Sequence, residues 1–342
     1  MLLVDAIYIH NGGGKVLLDY LIDCLENTNL KVYYLLDDRI INKKYIIKRD
    51  NHMKFMSPSF LKRYRFYKNN KSSFSKIFVL GNVPPSIRTK AVVYTYFHST
   101  LYIKPPTDYS FLERIIYGIK TKIVKYISKN TDFWLVQTHI FKQLFIEKFN
   151  KTNVEIVPFF PELLPNSNSE THQIRQKGVF LYVSNANTHK NHIRLLKAFC
   201  LAYDILEKGK LIITVNEDYP HVIGEIRKKQ NEGYPIENIG FVDRHTLIKV
   251  YQKAEYVIFP SLTESFGLGL IEGISLGCKV IGADLPYTYA VCEPSLTFNP
   301  SDVTSITNAI QKSLNTDLPI SKVKIYNQKE ELIAMLQNNL KV

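Results

Sequence analysis

Short runs of β-branched and aromatic residues alternate with helical stretches along the chain, and this alternation restricts its fold more than any other feature. Such alternation is typical of parallel sheets whose strands are joined by crossover helices. In the first half the sequence predicts strands at 2–9, 31–36, 76–80, 91–97 and 133–136, with helices at 14–27 and 111–128. A second set of strands is predicted at 178–183, 210–215, 236–242, 255–260 and 278–283. The helices predicted with them cover 191–207, 219–231, 267–277 and 327–340.

A proline-rich segment separates the two sets. Pro158, Pro161 and Pro165 lie in VPFFPELLPNSNSE, which ends in small polar residues. The 342 residues are enough for two domains that each bury a core. We therefore predict an α/β chain with two Rossmann-like, doubly wound domains, 1–160 and 161–320, that face each other across a ligand-binding cleft. Residues 321–342 are expected to form a helix that packs back on the first domain.

The excess positive charge lies in the first half of the chain. Residues 1–160 contain 25 Lys and Arg against 12 Asp and Glu, whereas 161–342 contain 19 of each. No acidic residue occurs between Asp50 and Asp108. An anionic bilayer would suit a surface of this kind, and a solvated basic face is the alternative. Nucleic acid is not expected as a partner, because no nucleic-acid-binding motif accompanies the charge. The basic and aromatic residues that cluster between Asp50 and Asp108 are Lys54, Lys62, Arg63, Tyr64, Arg65, Phe66, Tyr67, Lys68 and Lys71.

The location of the protein is indicated by three features. No stretch approaches the roughly 20 apolar residues that a membrane span needs. The N-terminal LLVDAIYI contains an aspartate and lacks a preceding basic segment, which favours a buried strand over a secretory signal. The four cysteines show no paired or metal-like spacing. We expect a cytoplasmic protein that associates peripherally with the inner face of the membrane.

The segment PSLTESFGLGLIEGISLG, residues 260–277, carries the most specific signal. A strand is predicted to end at its first residue and a helix to begin near Gly267, with Glu264 in the turn and Glu272 inside the helix. Both carboxylates can then project towards the carboxyl end of the strand, and a carboxylate accepts two sugar hydroxyls at once. At this point a crossover with incidental glutamates remains an alternative. A phosphate would be stabilised by backbone N–H groups at the helix start, which belong to Ser265, Phe266, Gly267 and Leu268.

Extended to PSLTESFGLGLIEGISLGCKVIG, the segment resembles the E-x7-E motif of retaining glycosyltransferases of the GT-B fold. The resemblance is to glycosyltransferase family 4, or glycosyl transferases group 1, of the bacterial polysaccharide and O-antigen type. It implies a GT-B fold and a nucleotide-sugar donor. It also implies that Glu264 holds hydroxyls of the donor sugar and that Glu272 holds the ribose. The similarity covers nearly the whole chain and is most specific over 178–299.

Lys190 lies in the second informative segment, FLYVSNANTHKNHIRLLKAF, which predicts a strand, a polar turn and a helix. A lysine at the exit of such a turn supplies a compact positive charge for a diphosphate leaving group. A solvated surface lysine is the alternative. The segment is similar to the start of the second domain in family 4, with Lys190 at the position of the family's lysine. Asn185 stands where many members carry arginine, so Lys190 is expected to do more of the neutralisation.

Gly12, Gly13 and Gly14 occupy a predicted turn between the first strand and helix, with Lys15 after them. Their N–H groups can face a ligand, although a plain tight turn is the alternative. His98 follows a predicted strand, where α/β sheets carry ligand-facing residues, although a lone histidine is more commonly structural. In GT-B enzymes the corresponding glycine loop approaches the donor diphosphate and the acceptor. Family 4 enzymes often have a histidine after this strand, close to the donor sugar.

These features predict a retaining glycosyltransferase that moves a hexose or N-acetylhexosamine from a nucleotide-diphosphate sugar to a lipid-linked saccharide in O-antigen or capsule synthesis. A UDP-sugar is favoured, with a GDP-sugar second. No D-x-D triplet or metal-ligand cluster occurs, so neither a metal nor another cofactor is expected. The alternatives are a GT-B sugar-binding protein that has lost the reaction, and a basic membrane- or nucleic-acid-binding protein. The predicted catalytic residues are Lys190, Glu264 and His98, and the predicted donor-binding residues are Glu272, Ser265, Phe266, Gly267, Leu268, Asn185, Gly12, Gly13 and Gly14.

Overall fold

The structure is a computed structural model that describes residues 1–106, 109–163 and 175–338. These residues divide into two compact units. The first comprises Met1–Pro105, Ser110–Pro161 and the described residues from Tyr326 onwards. The second comprises the described residues of Pro106–Tyr109 and Glu162–Ile325. Pro165, part of the predicted domain boundary, lies outside the described residues.

A seven-stranded parallel sheet forms the first unit, and its strand order is β3-β2-β1-β4-β5-β6-β7. The sequence does not predict β3 or β7, because β3 is a partly exposed edge strand without β-branched residues and β7 is very short. The strands are β1 (Leu2–Ala6), β2 (Val32–Asp37), β3 (His52–Met56), β4 (Lys76–Val79), β5 (Val92–Tyr96), β6 (Phe133–Val136) and β7 (Val154–Ile156). The helices are α1 (Gly12–Glu26), α2 (Phe60–Asn69), α3 (Phe111–Ile127) and α4 (His139–Phe149).

The second unit has a six-stranded parallel sheet in the order β10-β9-β8-β11-β12-β14, and β13 pairs with β15 antiparallel. The predicted strand 236–242 ends early, since the Asn238 side chain bonds Val215 and Gly240 adopts a left-handed φ of 63°. The strands are β8 (Gln176–Tyr182), β9 (Lys210–Ile213), β10 (Ile236–Asn238), β11 (Ala254–Phe259), β12 (Lys279–Ala283), β13 (Cys292–Glu293), β14 (Leu296–Phe298) and β15 (Lys322–Val323). The helices are α5 (His192–Leu206), α6 (Pro220–Asn231), α7 (Arg244–Lys253), α8 (Leu268–Ser275), α9 (Pro286–Val291) and α10 (Val303–Asn315).

The last helix, α11 (Lys329–Gln337), belongs to the first unit. Lys76 on β4 donates to the backbone carbonyls of Met335 and Leu336, both at 3.0 Å. A lysine suits this position because the carbonyls at the end of a helix lack intrahelical partners and carry partial negative charge. Within the described ranges, no helix combines the length and the hydropathy that crossing a bilayer requires.

Both sheets confirm the predicted doubly wound α/β class, because each reverses its winding between two neighbouring strands. These strands are β1 and β4 in the first unit, and β8 and β11 in the second. Loops diverge at the carboxyl ends of such strands and leave room for a ligand. The glycine turn follows β1, the Lys190 turn follows β8, and α8 follows β11. The topology therefore places three of the predicted site segments where doubly wound sheets bind ligands.

The basic cluster at 54–71 does not form a single surface. Arg63, Phe66 and Tyr67 lie on the inner side of α2 and are buried. Phe66 and Tyr67 belong to an apolar cluster against the sheet, whereas the Arg63 guanidinium pairs with Asp5 on β1. The prediction that these residues face a membrane is therefore wrong for these three, because the helical repeat turns every third or fourth residue towards the sheet.

Candidate functional site

Lys190 and Glu264 form an ion pair at the carboxyl edge of the second sheet. The Lys190 Nζ lies 2.5 Å from Glu264 Oε1, and the side chains are 16% and 12% exposed. Lys190 ends a 3₁₀ turn that follows β8, while Glu264 follows the neighbouring strand β11. Because both side chains are mostly shielded from water, their charges act on a ligand more strongly than they would on an open surface.

Asn191 fixes the lysine turn against the end of β11. Its backbone is left-handed, with a φ of 66°, and its amide donates to the carbonyls of Pro260 at 3.0 Å and Pro300 at 2.7 Å. The hydroxyl of Tyr182 on β8 donates to the Lys190 carbonyl at 2.9 Å. These bonds hold the backbone at the lysine and directly after it. The Lys190 ammonium is therefore presented from a rigid support.

Asn185 lies in the same loop as Lys190, at its β8 end. Its side-chain carbonyl accepts a hydrogen bond from the Asn187 amide at 3.1 Å. The side chain is half-buried and carries no charge. Of these two predicted site residues in the loop, Lys190 therefore supplies the positive charge.

Glu272 is 8% exposed in the second turn of α8. The Tyr251 hydroxyl on α7 donates to Glu272 Oε2 at 3.2 Å. Burial raises the pKa of Glu272 to about 7, although the Arg244 charge and the Tyr251 hydrogen bond both lower it. The carboxyl group therefore titrates near neutrality. A ligand that donates hydrogen bonds to it would favour the ionised form.

Arg244 and Tyr251 both act on Glu272, and neither is predicted from the sequence. Arg244 begins α7, and its guanidinium also donates to the carbonyl of Glu162 at 3.0 Å. Tyr251 is buried in the last turns of the same helix. No local pattern could reveal these contacts, since α7 and Glu272 meet only through packing around β11. Asn191 is also missed, although an asparagine directly before a helix could have been recognised as suited to a left-handed backbone.

Glycines on α8 allow the helix to pack closely on β11. A Cβ at Gly273 would lie 2.5 Å from the Val257 side chain, and one at Gly269 would lie 3.2 Å from the Phe259 ring. Side chains at these positions would push the helix away from the strand. The close packing explains why Glu272, which lies between the two glycines, is buried.

The first turn of α8 begins at the predicted place. Gly267 is its N-cap, with a φ of 84° that favours glycine, and its carbonyl accepts a bond from the Leu270 N–H at 2.9 Å. Phe266 is buried, while Ser265 and Leu268 are half-buried. The backbone of these residues therefore leads from the Glu264 turn into the positive end of the helix.

The glycine turn and His98 come together in the first unit. A Cβ at Gly14 would lie 3.2 Å from His98 Cε1, so the missing side chain permits this approach. The backbone N–H of His98 donates to Asn82 Oδ1 at 2.6 Å, and the ring Nε2 of His98 lies 2.8 Å from the Leu80 carbonyl oxygen. Because a carbonyl only accepts hydrogen bonds, Nε2 carries a proton in this contact. Burial lowers the pKa of His98, so its ring is neutral at pH 7.

Gly12 and Gly13 are the first two residues of α1. Gly12 has a left-handed φ of 61°, and a Cβ at Gly13 would meet no atom within 4 Å. The Lys15 ammonium is 2.5 Å from Asp19 Oδ1, so a carboxylate already compensates its charge. No acidic residue occupies the first turn of α1. No side chain of that turn therefore competes with an anion for the positive end of this helix.

The predicted site residues form two groups, one in each unit. The second unit brings together Lys190 and Glu264 and carries Glu272 on the helix that follows. The first unit brings Gly14 and His98 together. Within the ranges that the structure describes, no three His, Cys, Asp or Glu side chains are grouped as metal ligands. Metal independence stays a prediction.

Comparison with known proteins connects the second unit to a family. Residues 166–331 match the family model described as glycosyl transferases group 1. The chain is 27% identical over 152 residues to O-antigen chain mannosyltransferase B of Escherichia coli, which covers 43% of this chain and 40% of that protein. The chain therefore matches less than half the length of this relative.

Solved structures match the chain over most of its length. Sucrose-phosphate synthase from Thermosynechococcus elongatus has a TM-score of 0.73 at 17% identity, covering 92% of this chain and 89% of that one. HepE of Anabaena, in complex with UDP-glucose, has a TM-score of 0.66 at 14% identity, covering 91% and 88%. These likenesses show the GT-B fold. Through the match over residues 166–331, just under half of its length, the chain resembles the glycosyl transferases group 1 family.

Proposed function

We propose that the protein is a retaining glycosyltransferase that moves a hexose or N-acetylhexosamine from a nucleotide-diphosphate sugar to a lipid-linked saccharide. A UDP-sugar is favoured as donor, with a GDP-sugar second. The Lys190–Glu264 pair carries the proposal, because it sets a carboxylate and an ammonium 2.5 Å apart beside a helix start. Sugar hydroxyls can donate to the carboxylate while the adjoining phosphate pairs with the ammonium. The family match and the UDP-glucose bound to HepE support the donor class.

Each group in the second unit has a role in binding the donor. Glu264 accepts hydroxyls of the sugar, and Glu272 accepts the two ribose hydroxyls. The Lys190 ammonium and the start of α8 stabilise the diphosphate, whose negative charge grows as it leaves. The bond between the anomeric carbon and the diphosphate oxygen breaks while the acceptor oxygen bonds to that carbon from the same face. The acceptor proton passes to the departing phosphate oxygen, so no protein nucleophile is needed.

The first unit contributes positioning. His98, which lies beside the glycine turn, positions a hydroxyl of the sugar or of the acceptor. The glycine turn offers backbone N–H groups at the positive end of α1. O-antigen chain synthesis by the Escherichia coli relative supports a saccharide acceptor. The excess of basic residues in 1–160 supports a lipid-linked acceptor at the inner face of a membrane.

A second candidate is a sugar-binding protein that kept the fold and lost the reaction. Asn185 favours it, because many family members carry a second cation at this position. Turnover separates the two candidates. An enzyme slowly hydrolyses its sugar nucleotide without acceptor, whereas a binding protein returns the donor unchanged.

Nucleotide sugars should stabilise the folded protein in a base-selective way. We expect one class among UDP-, GDP-, ADP- and TDP-sugars to raise Tm, since a ligand that binds only the folded state stabilises it. Glu272→Gln should lose most of the shift, because an amide cannot accept both ribose hydroxyls as a carboxylate can. Differential scanning fluorimetry measures both.

The matched control is Glu232→Gln. Glu232 is the C-cap of α6, at the amino edge of the same sheet, and pairs with Lys229 at 2.6 Å. This variant should keep the full shift. No shift with any donor, in the presence of detergent and lipid, would contradict donor binding.

Donor affinity should weaken as the pH falls through neutrality. The pKa of Glu272 is raised to about 7, so the ligand-accepting carboxylate predominates above that pH and is lost below it. Between pH 8 and pH 6 we expect Kd for the intact nucleotide sugar to rise about tenfold, following the ionised fraction. The diphosphate of a nucleotide sugar does not titrate in this range. Calorimetric titration should show the dependence in the wild type, and a flat profile would refute the role of Glu272.

A further inference from the structure

Helix α3 exposes large apolar side chains along most of its length. Of its 17 residues, only Val124 and Ile127 are buried. An amphipathic helix of a soluble protein usually turns its apolar side chains inward, and a contiguous exposed patch marks an interaction site. Seven large apolar side chains are 41–79% exposed, namely Phe111, Leu112, Ile115, Ile116, Ile119, Ile123 and Tyr126.

These seven side chains form one continuous stripe. At about 100° per residue they project within about 140° of arc, and Val124 lies nearly opposite the centre of that arc. Val124 packs in the cluster that contains Trp134 and Phe145. On the same inner side, the Thr121 hydroxyl donates to the Tyr102 carbonyl at 2.7 Å. The apolar stripe therefore faces away from the sheet.

Basic residues border the stripe. Lys122 lies just inside one edge of the stripe, Lys125 lies outside that edge and Lys120 lies beyond the other, and all three are exposed. Residues 110–130 contain five basic residues and a single acidic one, Glu113, which caps the helix start. The Lys129 ammonium lies 4.9 Å from the centre of the Tyr126 ring. Long cationic side chains beside aromatic and aliphatic ones are typical of helices that lie at a membrane surface.

Helix α2 packs on the same face of the first sheet as α3. Val93 packs beneath α2 and Trp134 beneath α3. Trp134 pairs with Thr95, two residues after Val93, so both side chains lie on one face of the sheet. Both helices therefore cover that face. Phe60 and Leu61 on α2 are 48% and 56% exposed.

We propose that α3 lies parallel to an anionic bilayer and inserts its apolar stripe below the headgroups. The charge of this surface favours a bilayer over a second copy of the chain. In a dimer formed through α3, the five basic residues of each copy would repel the five of the other. Anionic headgroups offer the opposite charge. This membrane contact rests on the proposed function for its purpose. Binding through α3 would hold the enzyme at the surface where lipid-linked acceptors are found.

Sedimentation with vesicles tests the proposal on the full chain. The vesicles contain either phosphatidylcholine alone or phosphatidylcholine mixed with phosphatidylglycerol. We expect binding to the anionic vesicles, weakened but not abolished by salt, because apolar insertion is not screened. Ile119→Gln/Ile123→Gln should raise the lipid concentration for half-binding at least about tenfold. These side chains are 55% and 42% exposed, so the change leaves the core intact.

A matched variant controls for surface hydrophobicity in general. Leu201 and Ile205 on α5 of the second unit are 48% and 67% exposed. Leu201→Gln/Ile205→Gln should bind vesicles as the wild type does. A third variant, Lys122→Gln/Lys125→Gln, should lose part of the preference for anionic lipid.

The outcomes are distinct. Equal vesicle binding by the wild type and the α3 apolar variant overturns the proposal, as does a wild type that binds no anionic vesicles. A wild-type dimer in light scattering that becomes a monomer in the α3 apolar variant also overturns it, in favour of a second copy. Thermal stabilisation by the nucleotide sugar should be the same in the wild type and this variant. If the nucleotide sugar stabilises the wild type but the wild type binds no vesicles, only the membrane proposal is overturned. If the wild type binds vesicles but no nucleotide sugar stabilises it, only the proposed donor chemistry is overturned.

Discussion

Replacing Lys190 with alanine is expected to lower kcat for nucleotide-sugar turnover about 100- to 1,000-fold, the usual effect of removing one preorganised group that stabilises developing charge. The ammonium is held by a fixed turn and is mostly shielded from water, so solvent cannot replace it without reorganisation. KM should change much less, because the diphosphate gains charge mainly as the sugar leaves. Release of nucleoside diphosphate, with the donor class identified by thermal shift, measures both constants.

Lys229→Ala is the matched control for this loss. Lys229 also forms an ion pair, at 2.6 Å with Glu232, but lies on α6 near the amino edge of the sheet. Its removal should leave kcat within about twofold of the wild type, since a surface ion pair contributes little. A Lys190→Ala enzyme that keeps more than about a third of wild-type kcat would exclude the leaving-group role. Circular dichroism and Tm would show that each variant remains folded.

Replacing Arg63 with methionine is expected to destabilise the first unit by about 3–5 kcal/mol, the cost of leaving one member of a buried ion pair without its partner. The Arg63 Nε donates to Asp5 Oδ2 at 2.8 Å. Its other nitrogens donate to the carbonyls of Pro84 at 2.7 Å and Val83 at 2.8 Å. Methionine fills much of the volume but satisfies none of these acceptors. Asp5 would then remain in the core without its cationic partner, with the Tyr67 hydroxyl and the Ile7 N–H as donors.

The single tryptophan makes this loss measurable in one unit. Trp134, on β6, is 1% exposed in the first unit, so its fluorescence during urea unfolding reports on that unit. Arg88→Met serves as control, because Arg88 pairs with Asp132 at 2.6 Å but is 50% exposed. The control should cost less than about 1 kcal/mol. Equal urea midpoints for the two variants would show that the buried pair does not stabilise the unit.

Patterns of residues close together in the sequence predict the fold class and the places of several site residues. The doubly wound class follows from alternating apolar runs and helical repeats, which depend on neighbours a few residues apart. The position of α8 follows from the glycines and the short polar turn before it. Glu264 and Lys190 could each be selected by their places at strand ends. Their contact is a tertiary fact, because 74 residues separate them and adjacent strands bring them together.

Burial could not be predicted in the same way. A basic residue in a run of basic residues reads as a surface residue, yet Arg63 is buried because Asp5 lies on the strand beneath it. Burial between packed elements likewise raises the pKa of Glu272 to about 7, whereas Arg244 and Tyr251, both on another helix, lower it. Such partners are set by how elements stack, and single-sequence periodicity carries no information about them.

The amino-acid sequence by itself determined the order of strands and helices, the glycine turns and the chemical groups at the strand ends, because these depend on local backbone preferences. The tertiary structure alone decided which of those groups meet, which charges are buried and which apolar surface stays exposed. Helix α3 shows the difference most clearly, since its repeat indicates an amphipathic helix whichever way it faces. Only packing through Val124 turns its apolar stripe outward.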